Sequence, residues 1–340
     1  MKYSLIIPVY NRPNEVDELL DSLSRQTEKD FEVVIVEDGS TVPCDTVVEK
    51  YKNQLPAVLY FTKANSGPSG TRNFGAEKAH GDYLLFLDSD AVLPEGYLAA
   101  VTTELAHSGA VCFGGPDRAH ASFTPVQKAI NYAMTSFFTT GGIRGGKKKL
   151  DKFYPRSFNM GIRADVFKAV HGFNTALRFG EDIDFSTRVI KGGYKTRLFP
   201  TAWVWHKRRT DFRKFFKQVC NSGIARITLY LLYPDTLKAV HLLPAVFTAG
   251  TVACLLAALL LGVFACGLWW VLPLLPLLLF ALIIGADSTI RNKSLRVGLL
   301  SIPAAFIQLT GYGSGFLKAW WKRLVLKQGN FTAFEKNFYK

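Results

Sequence analysis

The sequence predicts an α/β fold in which a mostly parallel sheet is flanked by helices and followed by C-terminal transmembrane helices. Three observations carry this. Short, continuously apolar runs alternate with helical patterns through the N-terminal part of the chain. One of these runs, Tyr83-Leu84-Leu85-Phe86-Leu87, ends in the acids of Asp88-Ser89-Asp90. Residues 242–286 and 297–317 contain no Asp, Glu, Lys or Arg.

Residues 4–9 form the first apolar run, and Asn11-Arg12-Pro13-Asn14 reads as a turn and helix start. Val16, Leu19, Leu20 and Leu23 then recur at helical spacing. Residues 31–36 are a second strand, ended by Glu37-Asp38-Gly39-Ser40. A helix is predicted over 45–53 and a strand over 57–62. Gly67-Pro68-Ser69-Gly70 is a loop, 71–80 a helix and 82–87 the acid-ended strand. Runs without polar alternation fit strands buried on both faces, as in parallel sheets covered by helices. Right-handed crossovers follow from that geometry. Beyond residue 93 the alternation weakens. Residues 110–115, 158–162 and 197–205 read as further strands, with Glu181-Asp182-Ile183-Asp184 between the last two. Residues 141–152 are a Gly/Lys-rich loop, and 212–232 a helix with basic and apolar faces. The expected division is a catalytic domain over 1–226 and a membrane region over 227–340.

About 20 apolar residues cross a bilayer. The stretch 242–286 is therefore read as two spans, about 242–265 and 268–286, broken near Gly267, Pro273 and Pro276. Trp269 and Trp270 suit the membrane interface, and Arg291, Lys293 and Arg296 suit a cytoplasmic loop. Residues 297–317 are long enough for a third span. They also hold Pro303, Gly311, Gly313 and Gly315, and crossing would export Lys318, Lys322, Arg323 and Lys327. A third span and a re-entrant or interfacial helix are both compatible with this stretch. Asn330-Phe331-Thr332 matches a glycosylation triplet by pattern alone.

The chain has 340 residues and a net charge of +14, unevenly spread. Residues 1–110 carry net −8, 111–226 net +15 and 227–340 net +7. A basic middle and tail beside apolar runs point to an anionic membrane surface or phosphorylated substrates. Long apolar runs and the lack of a nucleic-acid-binding motif argue against nucleic acid as a partner. Cys44, Cys112, Cys220, Cys254 and Cys266 show no CxxC spacing and read as thiols of a reducing compartment. The N-terminal apolar run is too short for a signal peptide and enters a strand at once. The expected location is the inner (cytoplasmic) membrane, multi-pass, with the catalytic domain in the cytoplasm.

Asp is common at strand-to-loop turns, so the Asp88/Asp90 pair alone is a weak signal. Its context strengthens it. Asp38 also follows a buried strand, and in a parallel sheet both strand ends share one edge. Open α/β sheets bind ligands at that edge. One acidic end can accept hydrogen bonds from a base or ribose, while the other holds a metal and diphosphate. Carboxylate oxygens suit Mg²⁺ or Mn²⁺. Pro8 and Tyr10 close the first strand at the same edge, where an aromatic suits a flat nucleobase.

Four segments then occur in a telling order: Ile7-Pro8-Val9-Tyr10-Asn11-Arg12, Val36-Glu37-Asp38-Gly39-Ser40, Gly67-Pro68-Ser69-Gly70-Thr71-Arg72-Asn73-Phe74-Gly75 and Leu87-Asp88-Ser89-Asp90. Together, over about residues 1–226, they resemble the motifs of family 2 glycosyltransferases of the membrane-anchored bacterial type. The resemblance implies the GT-A fold, with its Rossmann-like sheet. It also implies a nucleotide-sugar donor (UDP- or GDP-sugar), Mg²⁺ or Mn²⁺, and inversion at the anomeric carbon. By the same resemblance Pro8, Tyr10 and Asp38 lie around the base, Arg72 and Asn73 lie near the donor, and Asp88 and Asp90 bind ribose, metal and diphosphate. His206 falls where some relatives place a metal-facing His. Gly180-Glu181-Asp182-Ile183-Asp184 resembles the family's Glu-Asp motif, which makes Asp182 the catalytic base. Glu181 and Asp184 then lie on the acceptor side. Asn159, Met160 and Gly161 match the segment beside the acceptor pocket.

Lys207, Arg208 and Arg209 are candidates for diphosphate or lipid headgroups. Processive relatives carry Gln-x-x-Arg-Trp before their membrane helices, whereas no Arg-Trp pair follows Gln218 here. The expected activity is transfer of one or a few sugars to a lipid-linked or surface-glycan acceptor. Two other readings are a polyprenyl-phosphate glycosyl synthase and a non-catalytic membrane scaffold with a degenerate nucleotide fold.

Overall fold

The computed structural model describes residues 2–120, 122–141, 153–264 and 268–329. The loop expected at 141–152, apart from Gly141, lies outside them, as do Cys266, Gly267 and the triplet at Asn330. The described residues form two compact units. One is built from 2–120 and 153–207, the other from 122–141 and 208–329.

The first unit opens with β1 (Tyr3–Val9), α1 (Pro13–Ser24), β2 (Phe31–Asp38), α2 (Asp45–Tyr51), β3 (Val58–Lys63), α3 (Gly67–Glu77) and β4 (Tyr83–Leu87). It continues through β5 (Ala91–Val92), α4 (Tyr97–Ser108), β6 (Cys112–Gly114) and β7 (Asp117–Arg118). The chain then supplies α5 (Pro125–Thr135) and α6 (Phe137–Thr140) to the second unit. It returns to the first with β8 (Asn159–Arg163), α7 (Ala164–Ala169), α8 (Glu181–Lys191), β9 (Thr196–Leu198) and β10 (Val204–His206).

Seven strands form one sheet in the order β3-β2-β1-β4-β8-β6-β9, and β5-β10-β7 form a second. β3, β2, β1 and β4 run parallel, while β8 is antiparallel to both β4 and β6. Each central strand feeds two cores. Leu5, Ile7 and Val9 of β1 pack with Val16, Leu19 and Leu23 of α1. Ile6 packs on the other face with Phe86, Phe167, Phe173 and Phe185. Strands apolar at successive positions therefore fill both faces, as the unbroken runs require. The predicted strand over 197–205 divides in two. β9 pairs with β6 while β10 pairs with β5 and β7, and Phe199 between them stacks on Phe113 with ring centroids 4.3 Å apart.

The second unit adds α9 (Phe212–Leu232), α10 (Leu243–Phe264), α11 (Leu275–Asn292) and α12 (Leu295–Trp320). Among the described residues, three helical segments are long and apolar enough to cross a membrane: Ala239–Phe264, Trp269–Asn292 and Leu295–Val325. The first two present large apolar side chains outward, such as Leu259, Val263 and Leu282. The stretch over 297–317 is one continuous helix despite Pro303. Its glycines serve helix packing. Gly311 and Gly315 lie against Val219 and the Cys220 backbone of α9, and Gly223 of α9 lies against the Tyr312 backbone. Small residues at such contacts let two backbones approach.

Candidate active site

The predicted acids gather at the carboxyl edge of the main sheet, within the first unit. Asp88 and Asp90 follow β4. β5 starts at once, and its antiparallel register sets Ala91 opposite His206 of β10. That pairing carries His206 to the acids. Its Nε2 lies 3.1 Å from Asp90 Oδ1 and 3.5 Å from Asp88 Oδ2. Phe158 stacks on the imidazole, with centroids 4.9 Å apart and planes 10° apart. Asp88, Asp90 and His206 each offer a ligand atom, all within 4.8 Å of one another.

These residues fit a divalent cation. Asp90 Oδ1 is buried and accepts no aligned hydrogen bond, although His206 Nε2 sits at ion-pair distance. Buried polar atoms are rarely left this way. Carboxylate oxygens and one imidazole nitrogen are a donor set that Mn²⁺ or Mg²⁺ accepts. Electrostatics keep both acids ionised. Burial opposes charge on Asp88, but His206 and Arg72 outweigh it and hold the carboxyl below its ordinary range. Burial likewise opposes charge on Asp90, and His206 and Arg12 outweigh it. For His206, burial pulls downward, yet Asp90 and Asp88 push the ring up to about 10, so a divalent ion would have to displace a proton from Nε2 before that nitrogen could ligate it.

Two arginines bracket the acids. Arg12, just beyond β1, donates from Nη1 to Asp90 Oδ2 at 2.6 Å. Arg72 of α3 is buried, donates from Nη2 to Asp88 Oδ1 at 2.8 Å, and places Nη1 3.4 Å from Glu181 Oε1. One guanidinium thus ties the β4 edge to the start of α8. Gly180, at φ 82°, turns the chain into that helix. Glu181 and Asp182 occupy its first turn, where the helix dipole favours acids. Asp182 accepts from the Ile183 amide at 2.8 Å and from Arg156 Nη1 at 3.0 Å.

Burial, then the charge of Asp182, pushes Glu181 up to about 7 against the pull of Arg72. Its ordinary value is 4.5, so between these values the folded protein binds more protons than the unfolded chain. Stability then falls as pH rises through this window, and the penalty is complete above it. Glu181→Gln is therefore expected to stabilise the protein at about pH 8, on the order of 2 kcal/mol, with little effect near pH 4. Urea titrations at the two pH values measure this.

The other predicted residues are placed as follows. Asp38 is fully buried and ties the start of α3 to β2. Its Oδ1 accepts from Ser66 N and Lys63 Nζ, each at 2.8 Å, and its Oδ2 accepts from Gly67 N at 2.9 Å. Gly39, at φ 74°, makes the adjoining turn, where a side chain would press on Asn65. Pro8 and Tyr10 are half-buried at the end of β1. Asn73 bonds the Phe173 backbone with both ends of its amide, at 2.9 and 2.8 Å. Asn159 is buried between Tyr97 Oη and the Ala202 carbonyl, and Met160 lies in the core. Asp184 is paired with Arg188 at 2.8 Å. Lys207 pairs with Glu18 at 2.7 Å, and Arg208 is buried against Asn131. The Phe113 ring fills the space beside Gly161. Gly161→Ala is expected to cost about 1–3 kcal/mol by overpacking, read as a lowered Tm.

The sequence reading gave no role to Arg156 or to the ring of Phe158, and Arg12 entered only as part of a motif. Arg12 had one usable signal, its place on the same sheet edge as the acids. The others meet the site only through tertiary pairing.

The glycosyl transferase family 2 profile matches residues 4–170. A glycosyltransferase of Haemophilus influenzae is 30% identical over 218 residues, which is 61% of this chain and 70% of that protein. A glycosyltransferase of Rickettsia bellii is 43% identical over 89 residues, and there the aligned part is 26% of this chain and 13% of the relative. Among solved structures, the mannosyltransferase PcManGT of Pyrobaculum calidifontis, in complex with GDP-Man and Mn²⁺, matches with a TM-score of 0.63 at 17% identity. That match covers 96% of this chain and 88% of the other. An α/β sheet ending in paired acids, a Glu-Asp helix start and these similarities agree: the chain belongs to glycosyl transferase family 2.

Proposed function

We propose that this protein transfers a sugar, with inversion, from a nucleotide-sugar donor to a membrane-associated acceptor, using a divalent metal at Asp88, Asp90 and His206. The observation that carries the reading is the meeting of those three side chains within 4.8 Å, linked through Arg72 to Glu181 and so to the start of α8. The structural neighbour with GDP-Man and Mn²⁺ supports a metal-bound nucleotide sugar as the donor.

Asp88, Asp90 and His206 would hold the divalent ion, which when bound would supply positive charge to the leaving diphosphate. Pro8 and Tyr10 take the base side of the edge and Arg72 lies toward the donor, while Asp38 holds the start of α3 and Asn73 holds the Phe173 backbone. Asp182 takes the proton of the incoming acceptor hydroxyl, a general-base role. Arg156 fixes the orientation of that carboxylate from 3.0 Å. Attack from the face opposite the leaving diphosphate inverts the anomeric carbon. Three apolar helices and the basic tail favour a lipid-linked acceptor at the inner membrane, with this edge on the cytoplasmic side. The lack of an Arg-Trp pair after Gln218 favours one or a few transfers over a processive mode.

The test is a transfer assay on the full chain in detergent or nanodiscs, with UDP- and GDP-sugars, Mn²⁺ or Mg²⁺, and lipid-linked acceptors. The expected result is metal-dependent transfer with inverted configuration. Absence of both transfer and donor hydrolysis across the panel would sink the reading.

A further inference from the structure

Arg12 has no assigned role, yet it makes the 2.6 Å ion pair to Asp90. The carboxylate is divided between two partners: Oδ1 faces His206 and Oδ2 faces Arg12. Arg72 stands in the same relation to Asp88 but is buried and also engages Glu181. Arg12 differs from it. Its side chain is 35% exposed, it sits at the start of α1, and among the described residues its ion-pair partner is Asp90. It is a guanidinium with spare donors at the mouth of the site.

We infer that Arg12 is a competing cation for Asp90, which keeps divalent-metal binding weak until an anionic diphosphate arrives to engage the guanidinium. This rests on the metal reading above. A charge 2.6 Å from a ligand carboxylate repels a divalent ion strongly where solvent is partly excluded. A diphosphate reverses the sign. Its oxygens can accept from the forked N–H groups of Arg12 and neutralise the repulsion. Metal and nucleotide then strengthen one another's binding by the same factor, as linkage requires. The same residue that weakens the metal alone thereby helps select a donor carrying a diphosphate.

The test is calorimetric titration of the full chain with Mn²⁺ alone, then with Mn²⁺ in the presence of GDP or UDP, for the parent, Arg12→Gln and Arg12→Lys. Arg12→Gln is expected to bind Mn²⁺ alone at least roughly tenfold more tightly. It is also expected to lose most of the tightening that the nucleotide brings. Arg12→Lys keeps the charge and is expected to stay within about threefold of the parent for Mn²⁺ alone. Unchanged or weaker Mn²⁺ binding by a folded Arg12→Gln overturns the role of Arg12 while leaving the metal site standing. No Mn²⁺ binding by any variant, with or without nucleotide and with the fold intact by circular dichroism, overturns the metal reading and this inference with it.

Discussion

Asp90→Asn is expected to lower sugar transfer by roughly 10²- to 10⁴-fold, because metal stabilisation of leaving-group charge is worth several kcal/mol and each 1.36 kcal/mol is tenfold. The substitution keeps the shape of the side chain. It removes the charge that faces His206 at 3.1 Å and Arg12 at 2.6 Å. The site then holds an excess of positive charge, which repels a divalent ion instead of binding it. Steady-state assays across a Mn²⁺ series measure the effect. Added metal should not restore the rate, while a thermal melt checks that the variant is folded. Full activity in Asp90→Asn would remove Asp90 from the metal site.

Asp182→Asn is expected to lower the transfer rate to a hydroxyl acceptor by roughly 10²- to 10⁴-fold, the range for loss of a general base. Donor binding should hardly change, since Asp182 bonds Arg156 and its own helix start. The loss should therefore appear in kcat, with the donor KM little altered. A phosphate acceptor arrives largely deprotonated and needs little help from a base. Undiminished transfer to polyprenyl phosphate by Asp182→Asn would thus favour the polyprenyl-phosphate synthase reading over a hydroxyl acceptor.

The parallel half of the sheet was legible because burial on both faces leaves unbroken apolar runs. Leu5, Ile6 and Ile7 are all fully buried, on alternate faces. Other features left weaker traces. The antiparallel direction of β8 is a pairing between residues far apart in the chain, Leu87 with Asn159, and periodicity carries no sign of it. The division of 197–205 into β9 and β10 was foreshadowed by Pro200, which cannot continue a central ladder. α5 was missed although Thr124, Pro125 and Gln127 form a readable start, with the Thr124 side chain accepting from the Gln127 amide. In α12, Pro303 and the glycines looked like breaks. The packing of α9 against Gly311 and Gly315 gives those glycines their place in a helix.

The site divides in the same way. Residues at strand ends and helix starts were found, because edge position follows from local pattern. Asp88, Asp90 and His206 converge, and Glu181 and Asp182 open α8. The partners that fix them were not found. Arg156 reaches Asp182, and Phe158 covers His206, across loops whose course no local pattern specifies. Asn73, expected near the donor, and Asn159, expected beside the acceptor pocket, have amides that bond backbone groups or Tyr97 within the fold.

In the proposed reaction the Asp88–Asp90 edge grips a nucleotide through a divalent ion. Binding of UDP and GDP to the full chain by calorimetry, with Mn²⁺ and with a chelator, tests it most directly when Asp90→Asn is measured alongside. At least one nucleotide is expected to bind with Mn²⁺, chelation is expected to weaken it at least roughly tenfold, and Asp90→Asn is expected to remove the metal dependence. Nucleotide binding of equal strength with Mn²⁺, with chelator and in Asp90→Asn would contradict it.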